Sequence, residues 1–408
     1  MKLKVYQHWD PLNVCIVGAC WPPEAFAYIS DSKLRSLFER IAIETQEDLD
    51  SLSNFLTRRG VKVLRPNVSR WNEFGVGRNM PMPPVTPRDY HIMVGERFYA
   101  STVMDRVDYA DHHDQWPGWT QFYSNIKQPD WPNCDNEHDF VKLPQRIQDT
   151  VYHCGYLKFR NSEWYSITTR PTNPVGVFDD IYAYIKNCGN KIVDSSHCYR
   201  FVNGSMLTRV GQDLYFATEW YGGYTPELVN VGAWVAGDEF RANLIDTGGH
   251  SDGTFCPVAP GLIVSYYDQT NYEQSFPGWE IVHGSDKSYL ETLTEWHELR
   301  KWGYGRYYMP GQEASPQLKD FIDAYLKHWT GNAVETKFFV NILMVDPKTA
   351  VVSQYDHNVV RAMERYGITC HVLPLRHQFF WDAGTHCHTC DLDRSGVKQD
   401  FFVDRSTP

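Results

Sequence analysis

The sequence predicts an α/β protein assembled from a few similar modules. Three observations predict it. Short apolar, β-rich runs recur from one end of the 408 residues to the other. Amphipathic helical stretches lie between them, and a local phrase returns in which such a stretch ends on glycine and a short strand follows. The strand candidates, in order, are Val14–Val17, Val61–Leu64, Tyr90–Val94, Leu214–Ala217, Leu262–Tyr266, Phe338–Val345 and Ile368–Leu375. The clearest helix is Leu34–Arg59, whose Leu37, Ile41, Leu49, Leu52 and Leu56 fall near helical spacing and which Gly60 ends. Pro316–Trp329 and Asn358–Tyr366 are the other helix candidates. The returning phrase reads Arg59-Gly60-Val61-Lys62-Val63-Leu64, Pro277-Gly278-Trp279-Glu280-Ile281-Val282 and Tyr366-Gly367-Ile368-Thr369-Cys370-His371. Its copies are too unevenly spaced for a solenoid or a blade array of fixed period. They fit modules that carry different insertions, one of them expected at Met104–Tyr152, a stretch rich in Trp, Asp, His and Pro. No Ser/Gly-rich linker or charge run divides the chain, which favours one domain over residues 1–408.

Composition excludes several classes of function. Hydrophobic residues at 42% and aromatics at 15% supply enough apolar surface to bury, so the chain is not of a disordered type. The 39 Lys and Arg against 50 Asp and Glu leave a net charge of −11 with no basic stretch. That balance argues against nucleic acid and against an anionic membrane surface as partners. No apolar run approaches the roughly 20 residues that span a bilayer. Met1–Asp10 lacks both an apolar signal core and the Arg/Ser character of a transit segment, which reads as cytoplasmic. The ten cysteines are spread along the chain and are expected to be mostly reduced, buried thiols.

Three segments carry groups fit for chemistry. In Gly384-Thr385-His386-Cys387-His388-Thr389-Cys390-Asp391, the Cys387-x-x-Cys390 pair can be half a zinc site, a redox pair or a nucleophile with a neighbour. A structural zinc site wants a second ligand pair, which the sequence lacks, and as a bare pattern two buried cysteines are the commoner case. In Thr247–Phe255, His250 and Asp252 stand two apart, and on a strand they would share a face, so that the carboxylate could orient the imidazole. An ordinary loop histidine is the commoner meaning of that pattern too. In Thr86-Pro87-Arg88-Asp89, a carboxylate at a strand end can hold a guanidinium through paired charge-assisted hydrogen bonds, though a polar turn is more usual. Asp108–Asp114 could be imagined as a metal cluster, but a surface run of acidic and histidine residues accounts for it better. The aromatics of Trp116–Trp131 and Trp302–Tyr308 could form a cation-binding lid, with packing the simpler account.

Together and in order, the segments resemble the glycine amidinotransferase family, the amidino-transfer branch of the pentein superfamily. Trp9-Asp10-Pro11-Leu12 with Ile16-Val17-Gly18 is similar to the family's first strand, and Pro87-Arg88-Asp89 to its guanidinium-binding turn. Gly60-Val61-Lys62-Val63 with Arg65-Pro66 is similar to its next helix-to-strand passage. Arg209-Val210-Gly211-Gln212-Asp213 resembles its Arg-x-Gly-x-Asp phrase, and His250-Ser251-Asp252-Gly253-Thr254-Phe255 its His-x-Asp-x-Thr-Phe motif. Phe339–Asp346 and His386-Cys387-His388-Thr389-Cys390-Asp391 resemble its last strand and its nucleophile motif. The match covers nearly the whole chain apart from residues 104–152 and an insertion-like stretch around 284–311. It implies a five-bladed α/β propeller of pseudosymmetric ββαβ modules around a central funnel.

The resemblance also implies roles. Cys387 would be the nucleophile, His250 the proton-transfer group, Asp252 its orienting carboxylate and Asp89 a guanidinium anchor, with Arg88 in the same turn. Cys390 would be a packing neighbour. Neither metal nor organic cofactor is expected; the partners are a small guanidine donor such as arginine and an amine acceptor, in a homodimer. Three positions depart from the family. Asn203 stands where the family has a second guanidinium-binding carboxylate, and offers no charge. Gln269 lies where an arginine holds the substrate carboxylate, and cannot form a bidentate ion pair. Gly249, with Thr247 and Gly248, replaces bulkier residues and leaves room for an acceptor larger than glycine. The expected activity is therefore amidino transfer with a changed donor or acceptor. A pentein guanidine hydrolase, of arginine deiminase or dihydrolase type, and a catalytically weakened guanidine-binding pentein are the alternatives.

Overall fold

Two neighbouring β-rich runs pair antiparallel across a short turn, whereas a third strand lying parallel to the second needs a crossover, usually a helix. The computed structural model describes residues 2–73, 82–101, 176–195, 201–218, 226–247, 250–266, 272–284, 311–312, 315–322, 326, 329 and 338–405. Within them this ββαβ unit occurs five times, as five three-stranded sheets. In one, β1 (Leu12–Val17) runs parallel to β2 (Lys62–Leu64) and antiparallel to β15 (Thr389–Arg394), so that the two ends of the described chain close a single sheet. The others are β3 (His91–Val94), β4 (Arg97–Ala100) and β5 (Lys191–Asp194); β6 (Leu207–Val210), β7 (Asp213–Ala217) and β8 (Arg241–Ile245); β9 (Phe255–Ala259), β10 (Leu262–Ser265) and β11 (Glu280–His283); and β12 (Leu343–Asp346), β13 (Thr349–Val352) and β14 (Thr369–Val372). In each, the first two strands are antiparallel and the third joins parallel.

Burial grades across every sheet. The strands β3, β6, β9 and β15 are buried along their whole length, and β12 at all but its last residue. The strands β2, β5, β11 and β14 have no buried residue, and β8 is buried only at its ends. The first-named set is therefore the inner one.

The helix Ser32–Thr57 starts two residues before the expected Leu34, because Asp31 caps it by accepting from the amides of Lys33 and Leu34 at 2.9 and 3.0 Å. It buries Ile41, Leu49, Leu52 and Leu56 as its spacing predicts, with Phe38 in the core in place of the expected Leu37, which is half-buried. Between helix and parallel strand, all five modules place a left-handed glycine: Gly60, Gly189, Gly237, Gly278 and Gly367, with φ between +54° and +84°. Three of these carry the phrase read in the sequence. The expected strand Phe338–Val345 divides into a 3-10 turn at Phe338–Val340 and then β12, and the expected helix Pro316–Trp329 is an α-helix over Pro316–Phe321 with π-helical residues at Ile322 and Leu326. The insertions expected at 104–152 and around 284–311 lie outside the described residues, apart from Gly284 and Gly311.

Among the described residues seven cysteines are free thiols, five of them buried. No described helix is long and apolar enough to cross a membrane.

Candidate active site

The residues singled out in the sequence share one structural position, the turn just ahead of an inner strand. Asp89 ends the 3-10 turn Pro87–Asp89 before β3, and Asn203 lies four residues before β6. His250 and Asp252 belong to the turn before β9, and Cys387 precedes β15 by two residues. The fifth module places Asn341 there, two residues before β12. No motif announces Asn341; its signal is its equivalence to the other four positions. Hydrogen bonds join the turns across modules. The Gly204 amide donates to the Arg88 carbonyl at 2.9 Å and the Ser251 amide to the Ser205 carbonyl at 2.7 Å. Asn341 Nδ2 donates to the Asp252 carbonyl at 3.2 Å, and Asn341 Oδ1 accepts from the amides of His386 and Cys387 at 2.8 and 3.0 Å.

Cys387 is buried, with Sγ 3.0 Å from Asn341 Nδ2 and 3.4 Å from Asp252 Oδ2. The same Asp252 oxygen accepts from His386 Nδ1 at 2.8 Å. His250 and Asp252 do not lie on a strand, as their spacing suggested. His250 is the N-cap of the helical turn Ser251–Thr254, where residues two apart point in different directions. The carboxylate is thereby turned toward Cys387 and His386, and His250 acts on it through charge. Burial, reinforced by the Arg88 guanidinium, holds the His386 imidazole well below its ordinary pKa. His386 is thus neutral and donates Nδ1–H to the carboxylate.

Beside Cys387, three buried carboxylate oxygens face no donor among the described residues: Asp89 Oδ1, Asp89 Oδ2 and Asp252 Oδ1. Buried, unpaired carboxylate oxygens are costly, and they suit a planar cation that brings its own donors. Asn203 does not add to them in the way a carboxylate would. Its Oδ1 accepts from the Ser205 amide, the Ser205 hydroxyl and the Met206 amide at 3.0, 2.7 and 3.0 Å, so it shapes its own turn. Arg88 is fully buried and donates from Nε to the His386 and Thr389 carbonyls, each at 2.8 Å, and from Nη2 to Asp391 at 3.1 Å. Those bonds make it a support for the Cys387 turn. Gly249 and Gln269 lie outside the described residues. Cys390 is buried in β15 and burial pushes its thiol up to about 12, in keeping with a packing neighbour.

Beneath the Cys387 turn lies a buried ionic cluster. Asp391 accepts from Arg209 through both oxygens at 2.8 and 2.9 Å, from Arg394 at 2.7 Å and from Arg88 at 3.1 Å. Burial alone would raise the Asp391 pKa; the three guanidiniums outweigh it and hold the group well below the usual carboxylate range. Three cations thus surround one anion.

Asp252 gives a pH signature. Burial, with Asp89's charge acting in the same direction, pushes its carboxyl up to about 6 against the opposing effect of His250. The unfolded chain then loses this proton at lower pH than the folded one, so the wild type sheds stability as pH rises from about 4 to about 6. Asp252→Asn cannot do so. Its urea midpoint relative to wild type is expected to be higher at about pH 7 than at about pH 4.5. An equal difference at both pH values would rule this electrostatic account out.

Comparison with characterised proteins follows the same lines. No family model matches the chain. The mitochondrial glycine amidinotransferase of Xenopus tropicalis is 33% identical over 97% of this chain and 84% of its own length. Inosamine-phosphate amidinotransferase 1 of Streptomyces griseus is 21% identical over 96% of this chain and 97% of its own. The solved structure of that Streptomyces enzyme superposes with a TM-score of 0.56, covering 98% of this chain and 99% of its own at 17% identity. An amidinotransferase of the saxitoxin biosynthetic pathway from Microseira wollei also gives 0.56, over 98% and 99% of the two chains at 14% identity. The five ββαβ modules are those of the pentein fold.

Proposed function

Since the chain belongs to the glycine amidinotransferase family, we propose that it moves an amidino group from arginine, or a related guanidine donor, to an amine other than glycine through a cysteine-bound intermediate. The observation that carries this reading is the meeting, at one buried centre, of Cys387 with Asp252 and with three carboxylate oxygens that have no donor among the described residues. A guanidinium held by Asp89 and Asp252 would have its charge matched and its carbon presented to sulfur.

The Cys387 thiolate attacks the guanidine carbon, and a neutral tetrahedral adduct forms. Protonated His250 gives its proton to the leaving nitrogen, the C–N bond breaks, and ornithine departs when arginine is the donor, leaving a cationic amidino group on sulfur. The acceptor amine then attacks that carbon and loses its proton to His250. The C–S bond breaks and the thiolate is restored. The acceptor is read as other than glycine because Gln269 cannot pair with a carboxylate as arginine does and Gly249 leaves space, while Asn203, which brings no charge, bears on the guanidine donor. A homodimeric cytoplasmic enzyme working without a cofactor completes the reading.

The test is mass spectrometry of the intact protein incubated with arginine and quenched in acid, followed by peptide mapping. An amidino adduct on Cys387 is expected, and screening amines for a new guanidino product then identifies the acceptor. Arginine consumed with release of ammonia or a ureido product would instead establish hydrolysis. Arginine left intact with no adduct would overturn the arginine donor.

A further inference from the structure

We infer that Asn341 is a catalytic residue whose side-chain amide fixes the nucleophile's turn through Oδ1 and stabilises the Cys387 thiolate through Nδ2–H. This rests on Cys387 being the nucleophile, but not on which donor or acceptor is used. Asn341 is fully buried, and a primary amide has two acceptor sites and two hydrogens. All four are engaged: Oδ1 takes the amides of His386 and Cys387, and Nδ2 reaches the Asp252 carbonyl and Cys387 Sγ. The two backbone N–H groups decide which end of the amide is which, because an NH2 group in place of Oδ1 would meet two donors. The nitrogen must then face sulfur.

A thiol is a weak acceptor and a thiolate a strong one, so a fixed N–H at 3.0 Å favours the ionised form. It opposes the nearby Asp252 carboxylate, 3.4 Å from the same sulfur, which favours the thiol. The neighbourhood is shaped to keep the amide in place. Thr385 Oγ1 donates to the Asn341 carbonyl at 2.8 Å, and a Cβ at Gly384 would lie 2.6 Å from Asn341 Oδ1 and 2.7 Å from its Cβ, so only glycine leaves room there. Asn341 also holds the fifth of the five equivalent positions ahead of the inner strands, the other four being occupied by Asp89, Asn203, the His250–Asp252 pair and Cys387.

The experiment is the rate of Cys387 alkylation by iodoacetamide as a function of pH, located by peptide mapping, in the wild type, in Asn341→Asp and in Asn341→Ala. It needs no guanidine, so its outcome is independent of the amidino-adduct test. Aspartate can still accept from both backbone amides but cannot donate to sulfur as an ionised group. The midpoint of the profile is expected to rise by about one pH unit, with about a tenfold slower reaction at neutral pH. Asn341→Ala is expected to show a rise as well. The added carboxylate charge by itself raises the midpoint in Asn341→Asp, so the uncharged Asn341→Ala decides: a role confined to holding the turn would lower its rate without moving the midpoint, and a midpoint unmoved in Asn341→Ala overturns the inference. Independently of either variant, a wild-type Cys387 that alkylates at neutral pH no faster than Cys256 or Cys390 overturns it as well.

Discussion

Asp89→Asn is expected to cut kcat/KM for the guanidine donor by about 100- to 1000-fold while leaving the fold as stable as the wild type or more so. Both Asp89 oxygens are buried and meet no donor among the described residues. A carboxylate in that state pays desolvation without compensation until a cation arrives. Asparagine keeps the shape and removes the charge, so the empty protein gains what the complex loses. The loss is that of one charge-assisted pair to a planar cation, of the kind that costs about 2–5 kcal/mol when one partner is removed from a buried site. The measurement pairs steady-state kinetics with thermal melting. Alkylation of Cys387 by neutral iodoacetamide should proceed at near the wild-type rate, which separates loss of donor binding from damage to the nucleophile. A variant that melts lower, or that uses the donor as well as the wild type, would refute the assignment of Asp89 as an unpaired anchor.

The parts of the site that are strings of unusual residues are legible in the sequence alone. Cys387 in its Cys/His run, His250 with Asp252 and the Pro87–Asp89 turn each announce themselves locally. Their geometry does not. Side-chain directions in the Ser251–Thr254 turn depend on helical rather than extended backbone, and four residues carry too little periodicity to tell the two apart. Asn341 is silent because an asparagine before an apolar run is an ordinary strand boundary; its meaning comes from contacts to Cys387 and His386, more than forty residues away. The module count is half visible for a related reason. Gly60, Gly278 and Gly367 are followed almost at once by a strand. Gly237 is followed by Asp238, Glu239 and Phe240 before β8 begins, and Gly189 is followed by the polar Asn190 and Lys191, where the other three glycines are followed directly by Val61, Trp279 or Ile368.

The buried cluster under the Cys387 turn leads to the second large effect. Asp391→Ala is expected to destabilise the protein by about 3–5 kcal/mol, whereas Arg209→Met should cost far less. The asymmetry follows from the stoichiometry. Asp391 is the shared acceptor of Arg88, Arg209 and Arg394, and removing it strands three guanidiniums with almost no exposure. Removing Arg209 leaves Asp391 paired to Arg88 and Arg394 and lowers the buried positive charge. The shortage of acceptors is visible in the buried Arg88 Nη1 and Arg209 Nε, which have no hydrogen-bond partner among the described residues. Urea denaturation of the two variants against wild type measures the difference, and equal losses would contradict it. An excess of cations is a poor way to gain stability, so its presence beneath the Cys387 turn calls for another reason. Arg88 bridges from Asp391 to the His386 and Thr389 carbonyls on either side of Cys387. A positive potential there favours a thiolate above it and adds to burial, the main cause, in holding the His386 pKa well below its ordinary value. Arg209→Met should accordingly slow alkylation of Cys387 at neutral pH although it barely disturbs folding. That combination ties the cluster's uneven charge to the chemistry; a stable variant with a wild-type alkylation profile would leave it a structural strut alone.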